Sequence, residues 1–243
     1  MVPVTALAED VVNAEPVAAA IGETDVASID GVGFASIEAA ITTSSAATIV
    51  LEKNTAEDVT IPAGKTITLD LNGKTLTGKV VVDGSNLTIQ DSTAATAPTV
   101  DGNYDVIYTA GKIVATGTTI LAKNGGTATL KSGIVSSTKS NGLAALGNQT
   151  PGGNAVASSV TVAGGYVLSQ ENAVLVQGNG ATANINDGVL KTVDNAVIGG
   201  NGTNNNTRCD GDTTINITGG TMIGNIKTEG YIACGVYHPQ RGT

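Results

Sequence analysis

Thr129-Leu-Lys-Ser-Gly133, Thr161-Val-Ala-Gly-Gly165, Asn184-Ile-Asn-Asp-Gly188 and Asn216-Ile-Thr-Gly-Gly220 are four versions of one phrase: a short β-type strand that runs into glycine and then a second apolar strand. The glycines at 133, 165, 188 and 220 recur at intervals of 32, 23 and 32 residues. A period of that size, made of strands and turns without helices, predicts coils stacked along one axis. The second strands align too, as Asn141-Gly-Leu-Ala-Ala-Leu146, Asn172-Ala-Val-Leu-Val176, Asn195-Ala-Val-Ile198 and Gly230-Tyr-Ile-Ala-Cys234. This alignment puts Asn141, Asn172 and Asn195 at one turn of successive coils, as an amide ladder that ends at Gly230. The expected fold is all-β, a right-handed parallel β-helix (solenoid) of about six to eight coils with a short N-terminal capping helix.

Working outward, the strand pattern starts near residue 47 and runs to the end at 243. Ala47-Thr-Ile-Val-Leu51, Val59-Thr-Ile61, Ile67-Thr-Leu69, Val80-Val-Val82 and Leu87-Thr-Ile89 are separated by turn residues such as Asn72-Gly73 and Asp83-Gly84. The local pattern also fits an antiparallel sandwich, and the long period decides against it. Ahead of the first strand, Ile37 and Ile41 lie at helical spacing behind a candidate N-cap, Ser36. Residues 26–46 are therefore read as a cap that covers the exposed end of the first coil. Residues 9–25 read as an acidic leader. Residues 1–8, ending Ala6-Leu-Ala8, read as the tail of a secretory signal peptide. The last residues, Pro239 to Thr243, fall where another coil would begin, so the β-helix is expected to continue beyond them.

Composition narrows the function. Aromatics are 2% of the chain, so Val, Ile, Leu and Ala must fill the core in thin, regular layers. The net charge is −9 and Arg208 and Arg241 are the only arginines, so a basic stripe for nucleic acid is absent. No run approaches the ~20 apolar residues that span a membrane. Cys209 and Cys234 are about one coil apart, a disulfide candidate in an exported protein.

Tyr104, Asp105, Tyr108, Tyr166, Tyr231 and Tyr237 are the candidate ligand contacts, because tyrosine offers a sugar both a flat face and a hydroxyl. Asp210 and Asp212 are candidate calcium ligands beside Asn204–Asn206. Asp101, Asp187 and Asp194 read as turn residues that cap their own backbone. The Thr-x-Thr runs 66–68, 75–77 and 127–129 resemble arrays that order water, but Val160-Thr-Val162 and Asn184-Ile-Asn186 break the pattern, and β-propensity accounts for the threonines. Loop length is expected to vary at one place, after the second strand of each unit, as in 148–159 and 201–212.

The run Phe34-Ala-Ser-Ile-Glu-Ala-Ala-Ile41, then Ile61-Pro-Ala-Gly-Lys-Thr-Ile-Thr-Leu-Asp-Leu-Asn-Gly-Lys-Thr-Leu76, resembles the opening of secreted surface proteins of Gram-positive gut-type bacteria. These are similar in turn to the pectate-lyase-like right-handed parallel β-helix superfamily. The resemblance implies fold and a cell-surface location. The calcium-binding acids and catalytic base of its lyases have no matching residues here. The expected function is thus a non-catalytic adhesion or glycan-binding module meeting an extracellular glycan or host glycoprotein. A polysaccharide lyase or glycoside hydrolase and a structural stalk are the alternatives.

Overall fold

The computed structural model describes residues 20–94, 96–150, 152–200, 212–224 and 234–237. Among these residues the protein is mostly β-sheet with one helix. The chain opens with an antiparallel hairpin, β1 (Ala27–Ile29) and β2 (Val32–Phe34), followed by α1 (Ile37–Thr43). Ser36 caps α1 by accepting from the Ala39 amide at 3.0 Å. Lys65 Nζ reaches the carbonyls of Ile41 and Ser44 at the other end. Ile37, Ala40 and Ile41 are buried, as their spacing predicts.

From Ala46 the chain repeatedly lays down three strands in order. These are β3 (Ala46–Leu51), β4 (Thr55–Ala56) and β5 (Val59–Ile61), then β6 (Thr66–Asp70), β7 (Thr75–Thr77) and β8 (Val80–Asp83). β9 (Asn86–Gln90) is followed by an excursion carrying a small antiparallel hairpin, β10 (Thr99–Val100) and β11 (Val106–Ile107), before β12 (Lys112–Ala115) and β13 (Ile120–Lys123). The pattern resumes with β14 (Thr127–Leu130), β15 (Ile134–Ser137) and β16 (Leu143–Leu146). In β17 (Ser159–Ser169) and β19 (Thr182–Thr192) the first two strands run together through a bend, and β18 (Val174–Gln177) and β20 (Ile198–Gly199) supply the third. β21 (Thr214–Ile217), β22 (Thr221–Ile223) and β23 (Val236–Tyr237) follow.

Each strand pairs in parallel with its counterpart one circuit away. The first strands pair as β3-β6-β9-β14-β17-β19-β21 and the second as β4-β7-β12-β15-β17-β19-β22. The third strands form a seven-stranded sheet of their own. Thus three parallel faces surround one interior. Burial alternates along the strands, so Ile49, Ile67, Leu87, Ala128, Val160 and Ala183 line the core from the first face. Leu76, Ile113, Val135, Val167 and Leu190 come from the second, and Val59, Val80, Ile120, Leu143 and Val174 from the third. The core is aliphatic, as the scarcity of aromatics requires. Every buried side-chain nitrogen or oxygen among the described residues has a partner.

The repeated glycines mark the corner between the first and second faces. Gly133, Gly165, Gly188 and Gly220 have φ of 94°, 73°, 89° and 89°, a region costly for residues with a Cβ. They also sit one on another: a Cβ at Gly165 would lie 2.6 Å from Gly133 O, and one at Gly188 2.8 Å from Gly165 O.

The structure corrects two expectations. The register Leu143↔Val174↔Ile198 sets Ala196, not Asn195, over Asn172, because six residue steps separate Thr192 from Ile198 but five separate Ser169 from Val174. The amide ladder is consequently absent at that turn. Asn172 Nδ2 donates to Ala196 O at 2.6 Å, and Asn141 Oδ1 accepts from the Asn172 amide at 3.2 Å. Loop length also varies at two corners rather than one, since the longest described excursion, 91–111, leaves between the first and second strands.

Candidate functional site

The 91–111 excursion folds back over the second face, and one carboxylate fastens both its ends. Asp91, 5% exposed, accepts from the amides of Gly73 (2.9 Å) and Thr93 (3.0 Å), the Thr93 hydroxyl (2.8 Å) and the Gly111 amide. Burial pushes the Asp91 carboxyl up, but the donors from Gly111, Thr93 and Gly73 together outweigh it and leave its pKa below the ordinary value. At the tip, Asp101 accepts from the amides of Asn103 and Asp105 at 2.8 and 2.9 Å, the turn-capping role read from the sequence.

Four of the candidate residues meet here. Tyr104, at φ 61° and 68% exposed, offers its carbonyl to Lys191 Nζ at 2.8 Å. Asp105 pairs with the same ammonium at 3.5 Å. The Tyr108 hydroxyl accepts from the Gly133 amide at 3.1 Å, and the Tyr166 amide donates to Gly133 O at 3.0 Å. Burial, with a smaller contribution from the Asp105 charge, pushes the Tyr166 hydroxyl up to about 12. Tyr237 lies apart on the third face, 54% exposed. Tyr231, Asp210 and Cys209 lie outside the described residues, so the Cys209–Cys234 pairing and the Asp210–Asp212 pair do as well. Asp212 closes on the stack through its backbone, accepting from the Gly180 amide at 2.8 Å. Among the described residues no three His, Cys, Asp or Glu side chains are grouped to hold a metal ion.

Between the excursion and the glycine corner runs an open groove of about 420 Å³. Ala94, Pro98 and Tyr108 form one wall, Gly164, Gly165 and Gly188 the floor beneath, with Lys131, Ser132, Asp187 and Thr221 along it. Lys131 and Asp187 are the two charged residues among its described lining. Lys131, Ser132 and Lys191 were not singled out in the sequence. A signal existed: Thr88 pairs with Thr68 at an interval of 20 residues, and Thr129 with Thr88 at 41. An extra length equal to a whole circuit marks an insertion, and Pro98 and Asp101-Gly102-Asn103 give it turn chemistry.

The first face carries a different feature. Two of its outward ranks cross seven strands: Ala46, Thr66, Asn86, Thr127, Ser159, Thr182, Thr214, and Thr48, Thr68, Thr88, Thr129, Thr161, Asn184, Asn216. A third rank, beside the corner, begins Val50, Asp70, Gln90. The break read from the sequence at 160–162 and 184–186 does not exist. Val160 and Val162 point inward, Thr161 pairs with Thr129, and Asn184 continues the same rank beside Thr182. Thr75 and Thr77 belong to the second face.

Comparison with known proteins finds no matching family model, no matching curated protein and no matching solved structure.

Proposed function

We propose that the chain is a right-handed parallel β-helix module of an exported, surface-associated protein, and that it binds an extended glycan without cleaving it. Support for the fold comes from the three-faced parallel pairing, and for its hand from the rule that about 98% of parallel crossovers are right-handed. Export rests on the Ala6-Leu-Ala8 signature, and kinship with the pectate-lyase-like superfamily on the Ile61–Leu76 run.

The groove is the observation that carries the binding reading. It is open to solvent rather than enclosed, so part of an extended chain can rest in it. Its floor is glycine, which lets a ligand approach backbone amides and carbonyls closely. Tyr108 supplies an aromatic wall whose hydroxyl is already held by Gly133, so little side-chain freedom is lost on contact. Lys131, Ser132 and Asp187 supply both donors and acceptors for sugar hydroxyls. Paired-carboxylate glycoside cleavage needs two acids facing one bond, and Asp187 is the one carboxylate in the described lining.

The test is a broad array of plant, microbial and mucin glycans, probed with the wild type, Tyr108→Ala and Lys131→Ala. Retention of one glycan class, weakened in both variants, supports the proposal. A blank array overturns glycan recognition by this chain, and release of shortened oligosaccharides overturns the non-catalytic reading.

A further inference from the structure

Two adjoining outward ranks of the first face form a neutral lattice whose regularity the other faces lack, and the one carboxylate in the register beside them, Asp70, is buried. Nine of the fourteen positions are threonine, three are asparagine, and the others are Ser159 and Ala46. None is charged in a chain of net charge −9, and none is aromatic. Strand spacing of about 4.8 Å and a same-face repeat of about 6.7 Å make this a grid extending about 29 Å along the stack. β-propensity alone would favour threonine at outward positions of every face. The corresponding positions of the second face instead include Lys112, Ile134, Tyr166, Leu168 and Lys191, and those of the third Val81, Leu121 and Leu175.

The side chains are held before anything touches them. Threonine is stiff at χ1, and neighbours within a rank are linked: Thr127 Oγ1 donates to Asn86 Oδ1 at 2.6 Å and Asn216 Nδ2 to Asn184 Oδ1 at 2.9 Å. Asn184 Nδ2 donates to Thr161 Oγ1 at 3.3 Å.

We infer that this face binds the surface of ice. Its occupant must be uncharged, because the grid carries no charge to steer or pair with an ion. It must also be flat and periodic in two directions, because the recognising groups are. Crystalline polysaccharide meets those conditions, but sugar rings are gripped by aromatic faces and this face has none. A second copy of the chain would find little apolar area to bury there. A lattice of ordered water needs neither: each threonine gives a methyl group that water packs around and a hydroxyl that enters its hydrogen-bond network. The face is separate from the groove, and its function does not depend on the glycan-binding reading.

The experiment grows ice slowly through a dilute solution of the whole chain and measures how much protein the solid incorporates. The wild type is expected to enrich in the ice and to suppress recrystallisation of fine-grained ice. Thr88→Lys with Thr129→Lys, at the centre of the grid, is expected to abolish both effects while melting as the wild type does. Thr75→Lys with Thr77→Lys, the same change on the second face, is expected to leave both intact. Exclusion of the wild type from ice overturns the inference, as does equal incorporation of the Thr88→Lys/Thr129→Lys protein. Retention on crystalline cellulose or chitin together with exclusion from ice overturns it in favour of a carbohydrate face.

Discussion

The first and second faces are built on the same inward rule and differ almost completely outside. Inward, both present one aliphatic side chain over another, Ile67 between Ala47 and Leu87 on one face, Val135 between Ile113 and Val167 on the other. Outward, two adjoining ranks of the first face are a grid of small uncharged groups, and the rank nearest the corner begins Val50, Asp70, Gln90. The second face mixes Ile134, Tyr166, Leu168 and Lys191, part of which the excursion overlies. The stack demands inward residues that are aliphatic or, at Ser137, Ser169 and Thr192 where the second strands end, buried hydroxyls, and corner residues that bend. Its outward positions are free, so what distinguishes them is where function is to be sought.

That comparison is sharpened first at the corner the two faces share. Gly165→Val forces a β-branched residue to φ 73° with its Cβ against Gly133 O, and should cost at least about 2 kcal/mol in urea unfolding. Thr68→Lys on the first face should change stability by less than about 0.5 kcal/mol in the same assay. Equal effects would break the distinction between corner and surface.

Next in size is the latch of the excursion. Asp91→Ala leaves the Gly73, Thr93 and Gly111 amides without their acceptor and should cost about 1–3 kcal/mol. Proteases should then cut within 92–110 faster than elsewhere in the stack. The folded pKa of Asp91 is depressed, so its contribution is complete above the ordinary carboxylate value near 4 and fades as pH falls through the folded value. The stability gap between the wild type and Asp91→Asn should therefore be full at pH 7 and shrink in strong acid. A gap that grows on acidification would contradict the geometry.

Smaller still is Tyr108→Phe, which removes the acceptor of the Gly133 amide and should cost about 1 kcal/mol. The smallest effect is electrostatic. Asp105→Asn should lower the Tyr166 titration midpoint from about 12, followed by tyrosinate absorbance, yet leave it above the ordinary 10, since burial is the larger cause. A return to 10 would mean that the Asp105 charge, not burial, is the larger cause.

Much of this was legible in the sequence. The glycine phrase gave the register Thr129↔Thr161↔Asn184↔Asn216 correctly, because a corner at positive φ with backbone stacked against it has no room for a Cβ and so prints glycine on the chain. The capping helix was legible from Ser36, Ile37 and Ile41 for a similar reason. The Asn195 alignment failed because Asn tolerates many turn positions, and one extra residue between Thr192 and Ile198 leaves no mark. The Thr/Asn grid escapes a search for Thr-x-Thr, because Val160 and Val162 flank Thr161 inside the core and Asn184 takes a threonine's place, although the glycine phrase already aligns that rank. The four-residue meeting of Tyr104, Asp105, Tyr108 and Tyr166 was invisible likewise, since Lys191 lies 86 residues from Asp105.

Both faces and the groove exist only in this register, and the pair Thr88 and Thr129 tests it most directly. They are separated by the whole excursion yet lie opposite each other in adjacent parallel strands, about 4.8 Å apart by the usual strand spacing and inside disulfide range. Thr88→Cys with Thr129→Cys should oxidise to an intramolecular bridge in the folded protein, mapped by mass spectrometry of the linked peptides. Absence of that bridge, or equally efficient bridging of Thr88→Cys with Thr127→Cys, would contradict the stack as described.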